Sequence, residues 1–198
     1  RKIELSDITT AAALGYTIKL LGIARRKQHD IFAEIGPVLV PSDHPLATIN
    51  NENNAVMVTG DAVGETLFYG PGAGGLPTAN SILSDIVSET KNIVLGTTGN
   101  SFNNYQHAAN QMRTDDVIYP YYFSLELLDQ PGQMMKLTRI MTEAGASFSQ
   151  IVQTKTNQQT ARVIVITHDM SKTQLSTIKS ALAQTDTITL LAAYKVLA

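Results

Sequence analysis

The chain has 198 residues, of which 43% are hydrophobic and 16% are charged, and its formal net charge is −2 at pH 7. This balance gives no electrostatic reason to bind nucleic acid or an anionic membrane surface. The absence of cysteine excludes disulfides and thiolate metal sites. The sequence shows neither a charged-then-apolar leader nor a run of about 18 apolar residues, so we expect a cytoplasmic protein that does not span a membrane.

The region before residue 95 predicts an α+β fold with a mixed or antiparallel sheet and few helices. A short helix over 6–15 precedes apolar strands at 17–24 and 31–40, and a further pair of strands is expected at 55–59 and 65–69. A doubly wound sheet would instead alternate strands with helices. The order of elements therefore favours the mixed or antiparallel sheet.

A glycine-rich loop follows the last of these strands and leads into a helix. Gly70, Gly72, Gly74 and Gly75 permit close backbone approach to a ligand, and Pro77 suits a first helical turn. The N–H groups at the helix start carry partial positive charge, which makes the loop a candidate anion or cofactor loop. A connection that merely needs positive φ angles has the same composition, so both interpretations stay open.

A complete dinucleotide fingerprint needs two further features. It requires an N-terminal βαβ unit and an acidic residue about 20 positions after the loop, beyond the next strand. Asp85 and Glu89 follow the loop, but both fall within or at the end of the predicted helix. If a nicotinamide cofactor binds here, its main binding domain is therefore expected elsewhere.

A polar, amide-rich segment over 96–117 predicts a linker between two domains, 1–95 and 118–198. In 118–198, strand and helix patterns follow one another in the order βαββαβ. This order is typical of a ferredoxin-like split βαβ unit, in which two helices pack on a four-stranded sheet.

Four blocks of the first region read LGYTIKLLGIA at 14–24, VLVPSDHPLA at 38–47, GDAVGE at 60–65 and YGPGAGGLPTA at 69–79. In this order they resemble the C-terminal half of the catalytic domain of bacterial homoserine dehydrogenase. The resemblance implies an enzyme that interconverts aspartate semialdehyde and homoserine with NAD(P). The family's Rossmann domain and catalytic lysines and carboxylates have no counterpart here, so we expect a C-terminal fragment with no catalytic residue in this chain.

The resemblance also gives the glycine loop a role. It implies that Gly72, Gly74 and Gly75 contact the nicotinamide end of NAD(P), whose adenosine half is held by the missing Rossmann domain. The fragment alone is then expected to be inactive. A competing interpretation is a non-catalytic amino-acid-sensing and oligomerisation module.

The βαββαβ region contains LLDQPGQMMKL at 127–137 and GASFSQI at 145–151. With these motifs, residues 118–198 resemble an ACT domain, an amino-acid-sensing regulatory module often appended to homoserine dehydrogenase. N–H groups at a helix start can hold a carboxylate, and an aspartate can accept from an ammonium. The predicted effector site comprises Asp129, Gly132, Gln133 and Met134, and the ACT resemblance implies a second wall from the next strand with Gln150, Ile151 and Gln153. Threonine is the expected effector. For Asp129 the alternative role is that of a turn residue, and both interpretations stay open.

Assembly and metal binding complete the predictions. The charged fraction is below the roughly 25% usual for soluble domains, which indicates surface buried against further domains or subunits. We expect a homodimer or higher homo-oligomer, because an edge strand of a four-stranded sheet has unpaired backbone groups. The four histidines are scattered without paired spacing, so no metal site is expected.

Overall fold

A computed structural model describes residues 3–98, 110–155 and 159–197, which belong to two compact units. The first unit combines residues 1–43 with 109–198, and the second is 44–108. The helices are α1 (Leu5–Ala13), α2 (Gly75–Leu95), α3 (Gln133–Glu143) and α4 (Lys172–Ala183). The strands are β1 (Tyr16–Lys27), β2 (Asp30–Pro41), β3 (Asn53–Gly60), β4 (Gly64–Pro71), β5 (Asn110–Gln111), β6 (Ile118–Tyr119), β7 (Tyr121–Leu128), β8 (Phe148–Lys155), β9 (Thr160–Thr167), β10 (Met170–Ser171) and β11 (Ile188–Val196).

One mixed sheet forms the framework of the first unit. Its strands run in the order β1-β2-β11-β7-β9-β8, and the short β5 lies parallel to β2. Within it, β7, α3, β8, β9, α4 and β11 follow one another as βαββαβ, and the pairs β11–β7, β7–β9 and β9–β8 are all antiparallel. The predicted α+β class is confirmed, and so is the order of elements in this half.

Both faces of the central strands are buried, so hydrophobic and polar residues do not alternate along these strands in the sequence. Along β9, Val163 and Val165 belong to a core under α3 and α4, while Ile164 and Ile166 belong to a second core that includes Ala11 of α1. A strand covered on both sides has a continuous apolar run in place of alternation. The sheet therefore carries α3 and α4 on one face and α1 on the other.

The pairing of β2 with β11 joins the beginning of the unit to its end. These strands are parallel, with Val38 opposite Lys195 and Leu39 opposite Val196. Because of this pairing, residues 3–43 lie in the same compact unit as 110–197, which is a different partition from the predicted 1–95, 96–117 and 118–198. Part of the predicted linker, 99–109, lies outside the described residues.

The second unit consists of a β3–β4 hairpin, a short 3-10 helix (Pro45–Thr48) and α2. Its helix begins after Gly74 and ends at Gly96, which has φ of +66°. No residue of α2 is fully buried, and its apolar side chains at Ile82, Leu83 and Ile86 are more than half exposed.

Candidate functional site

The loop between β7 and α3 borders an open pocket of about 430 Å³. The pocket is lined by Leu127, Leu128, Asp129, Gln130, Pro131, Gly132, Gln133, Met134, Gln153 and Ala161. Five of the seven predicted effector residues thus surround one cavity. Asp129 is the single ionisable residue in this lining, which lies wholly within the described part of the chain.

The start of α3 supplies the polar backbone of this pocket. Gly132 is the N-cap residue, with φ of +90°, a conformation that favours glycine. The first N–H groups of a helix have no acceptor within the helix, and the helix dipole makes them suited to an anion. The Gln133 N–H makes a long hydrogen bond of 3.4 Å to the Gln130 carbonyl oxygen. This end of the pocket therefore presents donors.

Two side chains give the pocket its acceptors. The Asp129 N–H donates to the Gln159 carbonyl oxygen at 2.8 Å, which fixes the backbone that carries the exposed Asp129 side chain. Gln133 Oε1 is enclosed by protein and has no hydrogen-bond partner in the part of the chain that the structure describes. An enclosed amide oxygen favours a bound donor, because an unmade hydrogen bond there is costly. The lining therefore combines backbone donors at the start of α3 with the Asp129 carboxylate, which are the two kinds of group that a small zwitterion needs.

Strand β8 brings one of its three predicted residues to this pocket. Gln153 lies opposite Val163, and Ile151 lies opposite Val165, so both are on the face that carries α3. Gln153 lines the pocket, whereas Ile151 lies on the same face outside the lining. Gln150 lies opposite Ile166, whose side chain packs in the second core. The structure thus places Gln150 on the other face of the sheet.

In the second unit, each glycine of the predicted cofactor loop has a different local environment. A Cβ at Gly72 would overlap the side-chain amide of Asn54. The Gly72 N–H donates a hydrogen bond to the Glu52 carbonyl oxygen at 2.9 Å. Gly74 has φ of +119°, where other residues are strained. A Cβ at Gly75 would meet no atom within 4 Å. Packing explains Gly72 and backbone conformation explains Gly74, whereas nothing within the described residues requires glycine at Gly75.

A charged cluster on the first unit has no counterpart in the sequence predictions. Glu34 of β2 accepts hydrogen bonds from Lys195 Nζ at 2.9 Å and Lys172 Nζ at 3.1 Å. Burial alone would raise the pKa of Glu34, but these hydrogen bonds outweigh it and lower the pKa. Lys195 Nζ also lies 4.7 Å from the Phe32 ring centroid and 4.8 Å from that of Tyr119. The partners come from distant parts of the sequence, so no local motif indicates them.

Tyrosines adjoin this cluster and the second core. Burial raises the pKa of Tyr121 to about 12, and the Glu34 charge adds to the effect. Burial likewise raises the pKa of Tyr122 to about 12. Both phenols are therefore protonated at neutral pH and available as donors.

No three His, Cys, Asp or Glu side chains within residues 3–98, 110–155 and 159–197 lie close enough to hold a metal ion. His44 accepts a hydrogen bond from the Leu46 N–H at its Nδ1, at 3.1 Å, as a turn residue does. None of the helices in those ranges is both long and apolar enough to cross a bilayer.

Comparison with known proteins places this fold in a family. A family model described as homoserine dehydrogenase matches residues 1–87. Homoserine dehydrogenase of Bacillus subtilis (strain 168) is 42% identical over 179 residues, which cover 89% of this chain and 41% of that protein. The homoserine dehydrogenase of Lactococcus lactis subsp. lactis (strain IL1403) is 39% identical over 197 residues, covering 100% of this chain and 46% of that protein.

A solved structure agrees with these relatives. The crystal structure of a homoserine dehydrogenase from Thiobacillus denitrificans is similar with a TM-score of 0.84 and 29% identity, and the match covers 97% of this chain and 45% of that chain. The fold and the comparisons together define the family of this α+β chain. It belongs to the homoserine dehydrogenase family. It spans less than half the length of these relatives.

Proposed function

We propose that this chain is the C-terminal part of an NAD(P)-dependent homoserine dehydrogenase, which interconverts L-aspartate 4-semialdehyde and L-homoserine in the cytoplasm. This reaction serves the biosynthesis of threonine, methionine and isoleucine. The family membership of the chain supports the proposal. The catalytic residues are assigned to the part of the protein outside this chain, since no lysine or carboxylate here matches the family's catalytic segment.

In this proposal residues 1–95 belong to the catalytic and dimerisation domain, and 96–117 link it to a regulatory ACT domain at 118–198. The bound NAD(P) supplies or accepts the hydride. Gly72, Gly74 and Gly75 contact its nicotinamide end. The open space beside Gly75 supports this role, because a ring can approach the backbone there without meeting a side chain.

The ACT domain is proposed to bind an amino-acid effector, threonine being the first candidate. The observation that carries this proposal is the pocket that unites Asp129, the start of α3 and Gln153. The effector carboxylate lies at the N–H groups of Gly132 to Met134, and its ammonium lies near Asp129. A side-chain hydroxyl is then within the reach of Gln153. Ile151 flanks this site on the same face of the sheet.

Calorimetric titration of the 198-residue chain with threonine, isoleucine, methionine and serine tests the site. We expect saturable binding of threonine that Asp129→Ala weakens at least tenfold, because the ammonium loses a charge-assisted partner. Asp85→Ala is the matched control, since Asp85 is an exposed carboxylate on α2. Heat-silent titrations with all four amino acids would leave the module as an assembly element.

The second candidate is a non-catalytic amino-acid-sensing and oligomerisation module. It is favoured by the observation that the pocket at the start of α3 lies within residues 118–198. Oxidation of NAD(P)H with aspartate semialdehyde separates the two candidates. The chain alone is expected to be inactive while the full-length protein turns over. Turnover by the 198-residue chain would show that its own residues suffice for catalysis.

We further propose a homodimer. β8 is an edge strand of the sheet within the described residues, and its unpaired edge can extend the sheet by pairing with a second copy. Sedimentation at tens of micromolar should give twice the chain mass. Ile151→Lys places a charge beside this edge, and it should shift the mass towards the monomer more than Ile35→Lys does. A monomeric mass for the unaltered chain would contradict the proposal.

A further inference from the structure

A second cavity lies in the first unit, between the β1–β2 hairpin, β11 and α4. It has a volume of about 250 Å³. Its lining includes Lys172, Lys179 and Lys195, together with Glu34 and Tyr121. It shares no lining residue with the pocket at the start of α3. The two cavities are therefore separate sites.

The charge of this lining is positive. Three ammonium groups and one carboxylate line the cavity, so two positive charges remain without a counter-charge among the lining residues, all of which the structure describes. Lys172 and Lys195 both bind the same oxygen of Glu34. An ammonium has three donors, so each lysine can bind a further acceptor.

Burial strengthens these groups as ligands for an anion. The Lys195 side chain is 9% exposed. An interaction with a charge is stronger there than in bulk water, because the surroundings are less polar. The buried Tyr121 hydroxyl has no hydrogen-bond partner within the described part of the chain, and it adds a neutral donor to the same lining. A donor in that position favours an oxygen acceptor.

Helix α4 explains how the lysines come together. Lys172, Leu175 and Lys179 are spaced three and four residues apart, so they lie on one face of the helix. Leu21 and Ile23 of β1 form an apolar wall of the same cavity. The cavity has room for roughly eight water-sized groups, which limits its occupant to a small molecule.

We propose that this cavity, the lysine pocket, binds a small molecule through a carboxylate or phosphate group. Lys179 and Lys195 bind the charged group, the Tyr121 hydroxyl donates to it, and the apolar wall contacts a short hydrocarbon body. The site is distinct from the proposed effector site and does not depend on it.

NMR titration of the 15N-labelled chain with inorganic phosphate and, separately, with butanoate tests this proposal at constant ionic strength. We expect saturable shifts at the amides of Tyr121, Lys179 and Lys195 with at least one of the two anions. Binding of phosphate alone assigns a phosphate ligand, and binding of butanoate assigns a carboxylate. Shifts that grow linearly with both anions would overturn the proposal.

Variants of the lining residues test whether the lysines bind the anion. Lys179 is exposed, so Lys179→Gln should leave the fold intact while weakening binding about tenfold, as expected for the loss of one charge-assisted contact. Tyr121→Phe should weaken binding about threefold while keeping the packed ring. Lys91→Gln, on the exposed α2, is the matched control. Equal weakening by Lys91→Gln would show that net charge alone attracts the anion and would overturn the site.

Discussion

The hydroxyl of Tyr194 on β11 donates a hydrogen bond to the carboxylate of Asp7 on α1, at 2.9 Å. Arg162 of β9 reaches the other oxygen of that carboxylate at 3.1 Å and also donates to Ser124 Oγ at 3.0 Å. Asp7 is fully buried, and the Arg162 side chain is 19% exposed. This network fastens α1 to the face of the sheet.

Asp7→Asn should lower the free energy of unfolding by about 3–5 kcal/mol. The substitution keeps the shape of the side chain but removes the charge opposite Arg162, and breaking one partner of a buried ion pair costs about this much. Urea unfolding followed by circular dichroism measures the loss. Asp61→Asn, at an exposed turn, should change the value by less than about 0.5 kcal/mol.

Tyr194→Phe should lower the free energy of unfolding by about 1.5–3 kcal/mol, because it removes one donor to a buried carboxylate and keeps the ring. In the double variant the two losses should not add, since both act through Asp7. Strict additivity of the two free-energy changes would show that the hydrogen bond contributes nothing measurable.

The Glu34 cluster predicts a dependence of stability on pH. Because the pKa of Glu34 is lowered in the folded chain, its contribution is present above the ordinary value of 4.5 and is lost as the pH falls through the folded pKa. Glu34→Gln should therefore be less stable than the unaltered chain at pH 7, by about 1 kcal/mol for a partly exposed group.

The stability difference between the Glu34→Gln and unaltered chains should shrink below pH 4.5. Urea unfolding at pH 7, 4 and 3 measures it. Glu65→Gln, at an exposed position, should show no such change. A stability difference that stays constant from pH 7 to pH 3 would contradict the effect.

Two neighbouring glycines should respond oppositely to alanine. Gly74→Ala should destabilise the chain by about 1–2 kcal/mol, because its backbone is in a region that suits glycine almost alone. Gly75→Ala should be neutral or stabilising by up to about 1 kcal/mol, since alanine favours a helix and nothing blocks its Cβ. In the full-length protein, a raised cofactor KM for Gly75→Ala with unchanged stability would separate cofactor contact from folding.

Gln174 joins two parts of the first unit through its side-chain amide. Its Oε1 accepts from the Ser171 N–H at 2.8 Å, and its Nε2 donates to the carbonyl oxygens of Ala144 and Gly145 at 3.0 and 2.9 Å. Gln174→Ala should destabilise the chain by about 1–3 kcal/mol. Gln174→Glu keeps the acceptor at the helix start and loses the donors. In thermal unfolding its melting temperature should therefore lie between those of Gln174→Ala and the unaltered chain. A melting temperature equal to that of the unaltered chain would contradict this.

The βαββαβ order was predictable because each of its elements carries its own periodicity. The helical face of Leu137 and Met141 and the strand residues Phe123, Leu125 and Leu127 are all buried as their spacing indicates. Burial of Tyr122 and Ser124 between them was not predictable, because the covering of the second face by α1 is a long-range event.

The pocket at the start of α3 was partly predictable for the same reason. Asp129, Gly132 and Gln133 are neighbours in the sequence, so a local motif locates them. Gln150 was assigned to the same wall as Gln153, but the bulge between Phe148 and Gln150 and the pairing with Ile166 place it on the opposite face. The lysine pocket and the Asp7 network combine residues more than a hundred positions apart, and no local spacing can reveal such pairs.

The position of β11 between β2 and β7 has a consequence for synthesis. β11 is the last strand of this sheet to be synthesised by the ribosome. Until it emerges, the sheet exists as two separate pieces, the β1–β2 hairpin and the β7–β9–β8 group, each with an open edge at β2 or β7. Open edges pair readily with other chains. A nascent chain stalled before residue 188 should therefore be more prone to aggregation than a chain whose β11 has emerged from the ribosome.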